Sequence, residues 1–289
     1  MSLQTIILTV LQGSVLLTVF AIGLRASMQD ATYLLRHPGE LVRSFLAMNL
    51  VMPLFALALV FLFDLTPAVN IALVALAVSP IPPVLPGKMM KEGGTESYAI
   101  GLLVAASLLA IIFVPLAMEI IERVLEIPLT MSAAAVATLI FITALLPLGL
   151  GLAVHSFVPG LAERIAKPIS QIAGLALLAC MITVWFAAGP GMWTLIGNGT
   201  VIAMVAFVLV GTAVGHFLGG PAPENRTSLA FSTASRHPGI AIAISQANFP
   251  GQKLVMPAIL LYLIVNTFVS IPYVMWRRRQ TVVEIPVKA

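Results

Sequence analysis

The residues best suited to chemistry in this sequence lie together between positions 232 and 239. The candidate binding residues there are Ser232, Thr233, Ser235, Arg236, His237 and Gly239. Arg236 carries a permanent positive charge and a planar fork of donors that matches a carboxylate or a phosphate. The hydroxyl groups add hydrogen-bonding capacity, and His237 has a side chain whose ordinary pKa lies near neutral pH. This pattern predicts an anion site, or else a fixed cation that holds the surrounding chain together.

The segment that carries these residues is apolar and long enough to cross a bilayer. Pro238 removes a backbone donor and clashes with the preceding turn, so we expect a helix to break here. A charge at the centre of a membrane span costs about 2.5–3.5 kcal/mol on insertion scales. One interpretation is a kinked helix whose Arg236 reaches the interface. The other is a discontinuous transporter helix whose opened backbone forms a site.

Composition places the whole chain in the membrane. Hydrophobic residues make up 60% of the sequence, charged residues 9%, and the mean hydropathy is +1.07. Such a chain has too little polar surface to cover a soluble globule, so its partner is the lipid bilayer. The net charge of +4 does not indicate nucleic-acid binding, because the Lys and Arg residues lie between apolar segments rather than in one patch.

The hydropathy pattern predicts nine transmembrane helices. Their approximate ranges are 5–25, 41–63, 68–87, 96–118, 130–155, 168–188, 197–218, 227–248 and 254–276. This arrangement puts twelve Lys and Arg residues on one side, among them Lys288, and only Arg123 and Lys253 on the other, beside the acidic residues Glu119, Glu122 and Glu126. The positive-inside rule then predicts a cytoplasmic C-terminus and an external N-terminus.

A second interrupted helix is predicted at the end of the third span. Four prolines fall in the seven residues from Pro80 to Pro86, which a regular helix does not accommodate. A loop just beyond the membrane is the alternative. The candidate site residues that this segment adds are Ser79, Pro83, Gly87 and Lys88. Two polar residues inside other spans, Asn49 and Ser107, are further candidates, although such residues often bond a neighbouring helix instead.

The two interrupted spans occupy matching places in the chain. Spans one to four and six to nine share the order plain, plain, broken, plain, and the fifth span reverses the second set. This order predicts an inverted repeat, with a first unit at 1–126 (broken span 68–88) and a second at 127–289 (broken span 227–248). Paired breaks of this kind indicate the binding site.

The residues at the breaks resemble the bile acid:sodium symporter family in its wider bacterial form. The run Ser232-Thr-Ala-Ser-Arg-His-Pro-Gly-Ile-Ala-Ile-Ala resembles the family's Glu-x-x-Met-Gln-Asn-x-Gly-Leu-Ala-x-Ala. Ser79-Pro80 resembles the Ser-Pro-Gly-Gly crossover, and Asn49-Leu-Val-Met-Pro resembles Gln-x-x-x-Met-Pro, one residue out of register. The resemblance covers most of the chain.

The resemblance implies a fold and a function. The family fold has ten helices, or nine when the first is missing, in two inverted repeats. Two broken helices cross near mid-membrane in a core domain, and a panel domain moves against it. Known substrates are organic anions, often taken up with sodium, and distant relatives include auxin-type carriers and arsenite exporters.

The sequence departs from the family where sodium binds. The Glu and Gln that help to ligate sodium in the family correspond to Ser232 and Arg236, and the crossover Ser-Asn pair falls near Pro86 and Gly87. The carboxylate is missing and a cation is present. The resemblance therefore implies transport without sodium at the usual sites.

No enzymatic motif stands out, and we assign no catalytic residue, metal ligand or cofactor. The sequence predicts a secondary active transporter that moves a small organic anion by alternating access. A sodium-coupled symporter, a proton-coupled or facilitating carrier and a passive anion channel are the alternatives. The oligomeric state stays open.

Overall fold

The computed structural model describes residues 3–125 and 132–283. Glu126, Lys288 and the predicted boundary between residues 126 and 127 lie outside these ranges. Within them every regular element is a helix. In chain order the helices are α1 (Leu3–Gly23), α2 (Met28–Ala31), α3 (Tyr33–Arg36), α4 (Pro38–Phe45), α5 (Met52–Leu62), α6 (Pro67–Val78), α7 (Leu85–Lys91), α8 (Glu96–Leu125), α9 (Ala133–Ile140), α10 (Leu146–Phe157), α11 (Pro159–Thr194), α12 (Thr200–Leu218), α13 (Pro223–Ala234), α14 (Pro238–Asn248) and α15 (Val255–Val283).

Two of the long helices contain a π-helical segment. Leu46–Val51 joins α4 to α5, and Phe141–Leu145 joins α9 to α10. A π-helical turn displaces backbone carbonyls from the regular hydrogen-bonding pattern. The first of these segments supplies an acceptor to the candidate site described below.

Length and composition make this an all-helical polytopic membrane protein. Within residues 3–125 and 132–283, six helical segments are long and apolar enough to cross a membrane. They are Pro38–Leu62, Glu96–Val124, Ala134–Phe157, Pro159–Thr194, Thr200–Leu218 and Val255–Gln280. Large apolar side chains point outwards from them, such as Phe186 and Phe217, each 82% exposed. A bilayer would cover such surfaces.

Some single prolines do not end a helix, whereas the prolines clustered between α6 and α7 interrupt one. Pro115, Pro168, Pro190 and Pro272 lie inside long helices. The predicted sixth span, 168–188, lies inside α11, which begins at Pro159 and continues through Pro168. One proline removes a single hydrogen bond, and neighbouring helices can compensate for it. Several prolines in succession, as between α6 and α7, leave no regular path.

Two groups of helices pack around the breaks. In the first, α1 packs against α10 and α11; in the second, α6 packs against α14 and α15, and α12 against α13. The contact between α12 and α13 is close because it uses glycine. A Cβ atom at Gly215 would lie 2.5 Å from the Cα of Ala230, and one at Gly211 would lie 3.0 Å from the Cα of Ala234. Small residues allow such a close approach of two helix backbones.

Candidate functional site

The first break lies between α6 and α7. Helix α6 ends at Val78, and Ser79 turns to extended backbone with φ −72° and ψ 147°. The Ser79 hydroxyl donates to the carbonyl of Leu76 over 2.8 Å, which satisfies one free acceptor at the helix end. Helix α7 then restarts at Leu85, with Pro86 in its first turn, where a missing backbone donor does not matter.

The second break lies between α13 and α14 and follows the same logic. Ser235 is extended after the end of α13, with φ −100° and ψ 131°. Pro238 begins α14, and His237 precedes it as the N-cap. The Ile240 N–H donates to the His237 ring Nδ1 over 3.3 Å. His237 is therefore a capping residue, and its other ring nitrogen, Nε2, has no partner among the described residues.

The structure brings the two breaks into contact, as the sequence predicts. The backbone N–H of His237 donates to the carbonyl of Pro80 over 2.8 Å. Each break thereby supplies a hydrogen-bond partner to the backbone of the other. Neither break could keep its backbone groups satisfied in an apolar environment without such partners.

Arg236 lies at the centre of this crossing and is fully buried, with 0% of its surface exposed. Its Nη2 donates to the carbonyl of Met48 over 2.7 Å, and its Nη1 donates to the carbonyl of Ser79 over 3.3 Å. Met48 belongs to the first π-helical segment. Among the described residues no carboxylate pairs with Arg236. The guanidinium is held by oxygen dipoles from two other segments of the chain.

The hydroxyl groups around Arg236 are occupied within the protein. Ser232 donates to the carbonyl of Ser228 over 2.9 Å, and Thr233 donates to that of Leu229 over 2.8 Å. The Ser235 hydroxyl accepts from the side-chain amide of Asn266 over 3.1 Å. All three are buried. These three hydroxyl groups are therefore part of the packed interior of the crossing.

The other predicted residues differ in how far their side chains are exposed. Gly239 is exposed, whereas Gly87 and Lys88 are half-buried. A Cβ atom at Gly87 would meet no other atom within 4 Å. Three further candidates lie elsewhere in the fold. Pro83 is buried within the first break, Asn49 is half-buried in the first π-helical segment, and Ser107 is buried on α8 with 2% exposed.

Lys88 differs from Arg236 in having no acceptor. Its Nζ lies 5.1 Å from the centre of the Phe231 ring, and it makes no hydrogen bond or salt bridge with another described residue. The nearby carboxylate, Glu92, pairs instead with Arg278 over 2.8 Å. The close contact of Lys88 is thus an aromatic face, which is a weak partner, and Glu92 attracts it without a hydrogen bond or salt bridge.

Two groups that build the crossing were not predicted, the Tyr262 hydroxyl and the Met48 carbonyl. Tyr262 on α15 donates to the carbonyl of Ala234 at the end of α13. Asn266, also on α15, is a polar residue inside a span and bonds Ser235 of the neighbouring segment, as such residues often do. No pattern in the sequence indicates the Met48 carbonyl. The spacing of Gly211, Gly215 and Gly219 does carry a signal, since glycine at every fourth position predicts a close helix contact.

An all-helical polytopic membrane protein with two touching helix breaks has the architecture of a secondary transporter. The family model described as "Sodium Bile acid symporter family" matches residues 14–192. The chain therefore belongs to this family of membrane transporters. No curated protein matches the chain. The matched range includes the first break and ends before α12, so the second break lies beyond it.

Proposed function

We propose that this protein is a secondary transporter that moves a small organic anion by alternating access, without sodium at the family's usual sites. Membership of the sodium bile acid symporter family supports the transport class and the anionic substrate. The observation that carries the proposal is the position of Arg236. A buried guanidinium, bonded to the carbonyls of Met48 and Ser79, stands at the crossing of the two breaks.

Arg236 replaces a bound cation in this proposal. Sodium prefers oxygen ligands, and a carboxylate among them lowers the cost of burying its charge. At the crossing the carbonyl oxygens of Met48 and Ser79 already accept hydrogen bonds from Arg236, and the position that resembles the family's glutamate is Ser232. A sodium ion close to the guanidinium would be repelled strongly in a medium of low dielectric constant. The residues present therefore do not fit the ion.

Lys88 is then the cation that meets the substrate. Arg236 has no exposed surface and its two outer nitrogens are occupied, whereas Lys88 is half-buried beside open space at Gly87. Because Glu92 pairs with Arg278, it attracts Lys88 without forming a salt bridge to it and leaves the ammonium group able to bind an anion. A carboxylate or sulfonate on the substrate would replace the weak contact with Phe231 by a charge-assisted hydrogen bond.

The architecture proposed for this function has nine spans in two inverted repeats, divided near residues 126 and 127. The core contains both broken helices, and the panel contains α1, α10 and α11. The close packing of α1 on α10 and α11 supports this division. We further propose the inner membrane of a bacterium, with the C-terminus in the cytoplasm. A C-terminal reporter that is active only in the cytoplasm tests the orientation.

Counterflow in vesicles tests the function. Purified protein is first screened for thermal stabilisation by organic anions, because a ligand that binds the folded state raises the apparent stability. A stabilising anion placed outside the vesicles should then accelerate the exchange of labelled anion from inside, equally in sodium and potassium salts. Flux without counterflow would indicate a channel. Counterflow that requires sodium would indicate a coupled symporter and contradict the proposal.

A further inference from the structure

A cavity of about 350 Å³ lies between the two crossing helices, away from Arg236 and Lys88. It is bounded by one half of each broken span, α6 and α14, and by α5 and α8. Its lining residues are Val60, Pro67, Asn70, Ile71, Val74, Ala75, Met118, Ile121, Ile244, Phe249 and Gln252. Along α6 the lining extends from Pro67 to Ala75, which is about 12 Å of helix. The cavity therefore ends about one turn before the first break.

The walls of the cavity favour an uncharged occupant. Of the lining side chains only Asn70 and Gln252 are polar, and none is ionisable. An ion inside would lose its hydration without gaining a partner of opposite charge, which is costly. The volume lies within the range of small-molecule sites, about 300–1,000 Å³. An apolar molecule of moderate size fits both the volume and the chemistry.

Asn70 identifies the polar group that this occupant should carry. Its carbonyl Oδ1 is buried and has no hydrogen-bond partner among the described residues. A buried acceptor without a donor is unfavourable, and native proteins usually supply one. A hydroxyl group can donate to the amide oxygen and can also accept from the amide nitrogen, so it suits Asn70 in either orientation of the amide.

We propose that this cavity is a binding site for an uncharged, mainly apolar molecule with a hydroxyl group, bonded to Asn70. The site is separate from the anion contact at Lys88 and goes beyond the proposed transport of an anion. Because its walls come from both α6 and α14, a bound molecule fixes the spacing of the two broken helices. A ligand that fits one conformation shifts the equilibrium towards it. Occupancy therefore regulates the conformational cycle.

Photolabelling with a diazirine analogue of octanol tests the site in the intact protein in vesicles. Helix α8 provides an internal control, since Met118 and Ile121 line the cavity whereas Leu116 and Ile120 are 53% and 59% exposed. We expect label on Met118 and Ile121 to saturate and to be displaced by octanol. Label on Leu116 and Ile120 should rise in proportion to concentration, as expected of contact with lipid.

Two variants and one competitor complete the test. Asn70→Leu keeps a similar volume, and the octanol concentration for half displacement should rise about fivefold, the effect of losing one ordinary hydrogen bond. Ala75→Phe fills the cavity and should abolish the saturable label while that on Leu116 remains. Octanoate, the anionic analogue, should not displace the label. Unsaturable label on Met118, displacement by octanoate equal to that by octanol, or no effect of Asn70→Leu would each overturn the proposal. Failure of anion counterflow would contradict the proposed function and leave this result unaffected.

Discussion

Replacement of Arg236 by methionine tests the role of the buried guanidinium most directly. The change keeps an unbranched side chain of similar length but removes the donors to Met48 and Ser79. Each carbonyl left without a donor costs about 1–3 kcal/mol, and relief from burying a charge offsets part of this. The Ser79 bond, at 3.3 Å, is the weaker of the two. We therefore expect Arg236→Met to lower the free energy of unfolding by about 2–4 kcal/mol.

A second variant separates a structural cation from an anion-binding one. Ser232→Glu combined with Arg236→Gln restores the residue pair that the family resemblance places at a sodium site. If the guanidinium replaces an ion, this double variant should become stable only in sodium. At a sodium concentration ten times the dissociation constant, the gain is about 1.4 kcal/mol.

The assay is thermal unfolding of purified protein in matched sodium and potassium chloride. The unmodified protein should melt at the same temperature in both salts, and Arg278→Gln, which breaks only the surface pair with Glu92, should behave like it. The reasoning would be refuted if the unmodified protein melted higher in sodium than in potassium. It would also be refuted if Arg236→Met melted like the unmodified protein.

Three further predictions concern other parts of the molecule. Lys88→Gln should raise the KM for the transported anion about tenfold or more, which is the effect of losing one charge-assisted hydrogen bond. Lys91→Gln, at an exposed neighbouring position on α7, should not change the KM. Equal effects of the two substitutions in counterflow would contradict the role of Lys88. Gly215→Ala should destabilise the fold by about 1–3 kcal/mol, because its Cβ would lie 2.5 Å from the backbone of α13. Gly174→Ala is the control, since a Cβ there meets no atom within 4 Å, and it should leave the melting temperature unchanged in the same assay. Burial raises the pKa of Asp30, but hydrogen bonds from Ser27 and Ser97 outweigh it and hold the pKa below its ordinary value. The resulting stability is present above the ordinary pKa of an aspartate and is lost as the pH falls through the lowered pKa, so the melting temperature of Asp30→Asn should depend less on pH in that acid range.

The two breaks can be predicted from the sequence because proline lacks a backbone donor and clashes with the preceding helical turn. Four prolines between Pro80 and Pro86 remove successive backbone donors, and Pro238 sits where a helix can only begin. The contact between the breaks follows from the matching order of spans. A single proline does not always mark a break: Pro168 removes one hydrogen bond, and the surrounding helix α11 tolerates the loss.

The partners of Arg236 could not be predicted. The carbonyl of Met48 lies in the π-helical segment Leu46–Val51, and the bond from a side chain 188 residues away depends on the tertiary fold. Hydroxyl side chains near the charge suggest a binding site from the sequence, yet Ser232 and Thr233 bond carbonyls of their own helix. Backbone acceptors carry no residue identity, so a site built from them is invisible until the fold is known.

The covalent attachment of the Arg236 cation has a consequence for the direction of flux. A dissociable ion can leave on the far side of the membrane, which couples each transport cycle to the gradient of that ion. A side chain stays with the protein and cannot provide such coupling. Without a second coupled ion, a carrier of this kind only equilibrates its substrate across the membrane. For a monoanion, a potential of 100 mV, negative inside, contributes about 2.3 kcal/mol, or roughly a 50-fold excess outside at equilibrium. The uncoupled carrier proposed above would therefore not accumulate a monoanion inside the cell against such a potential.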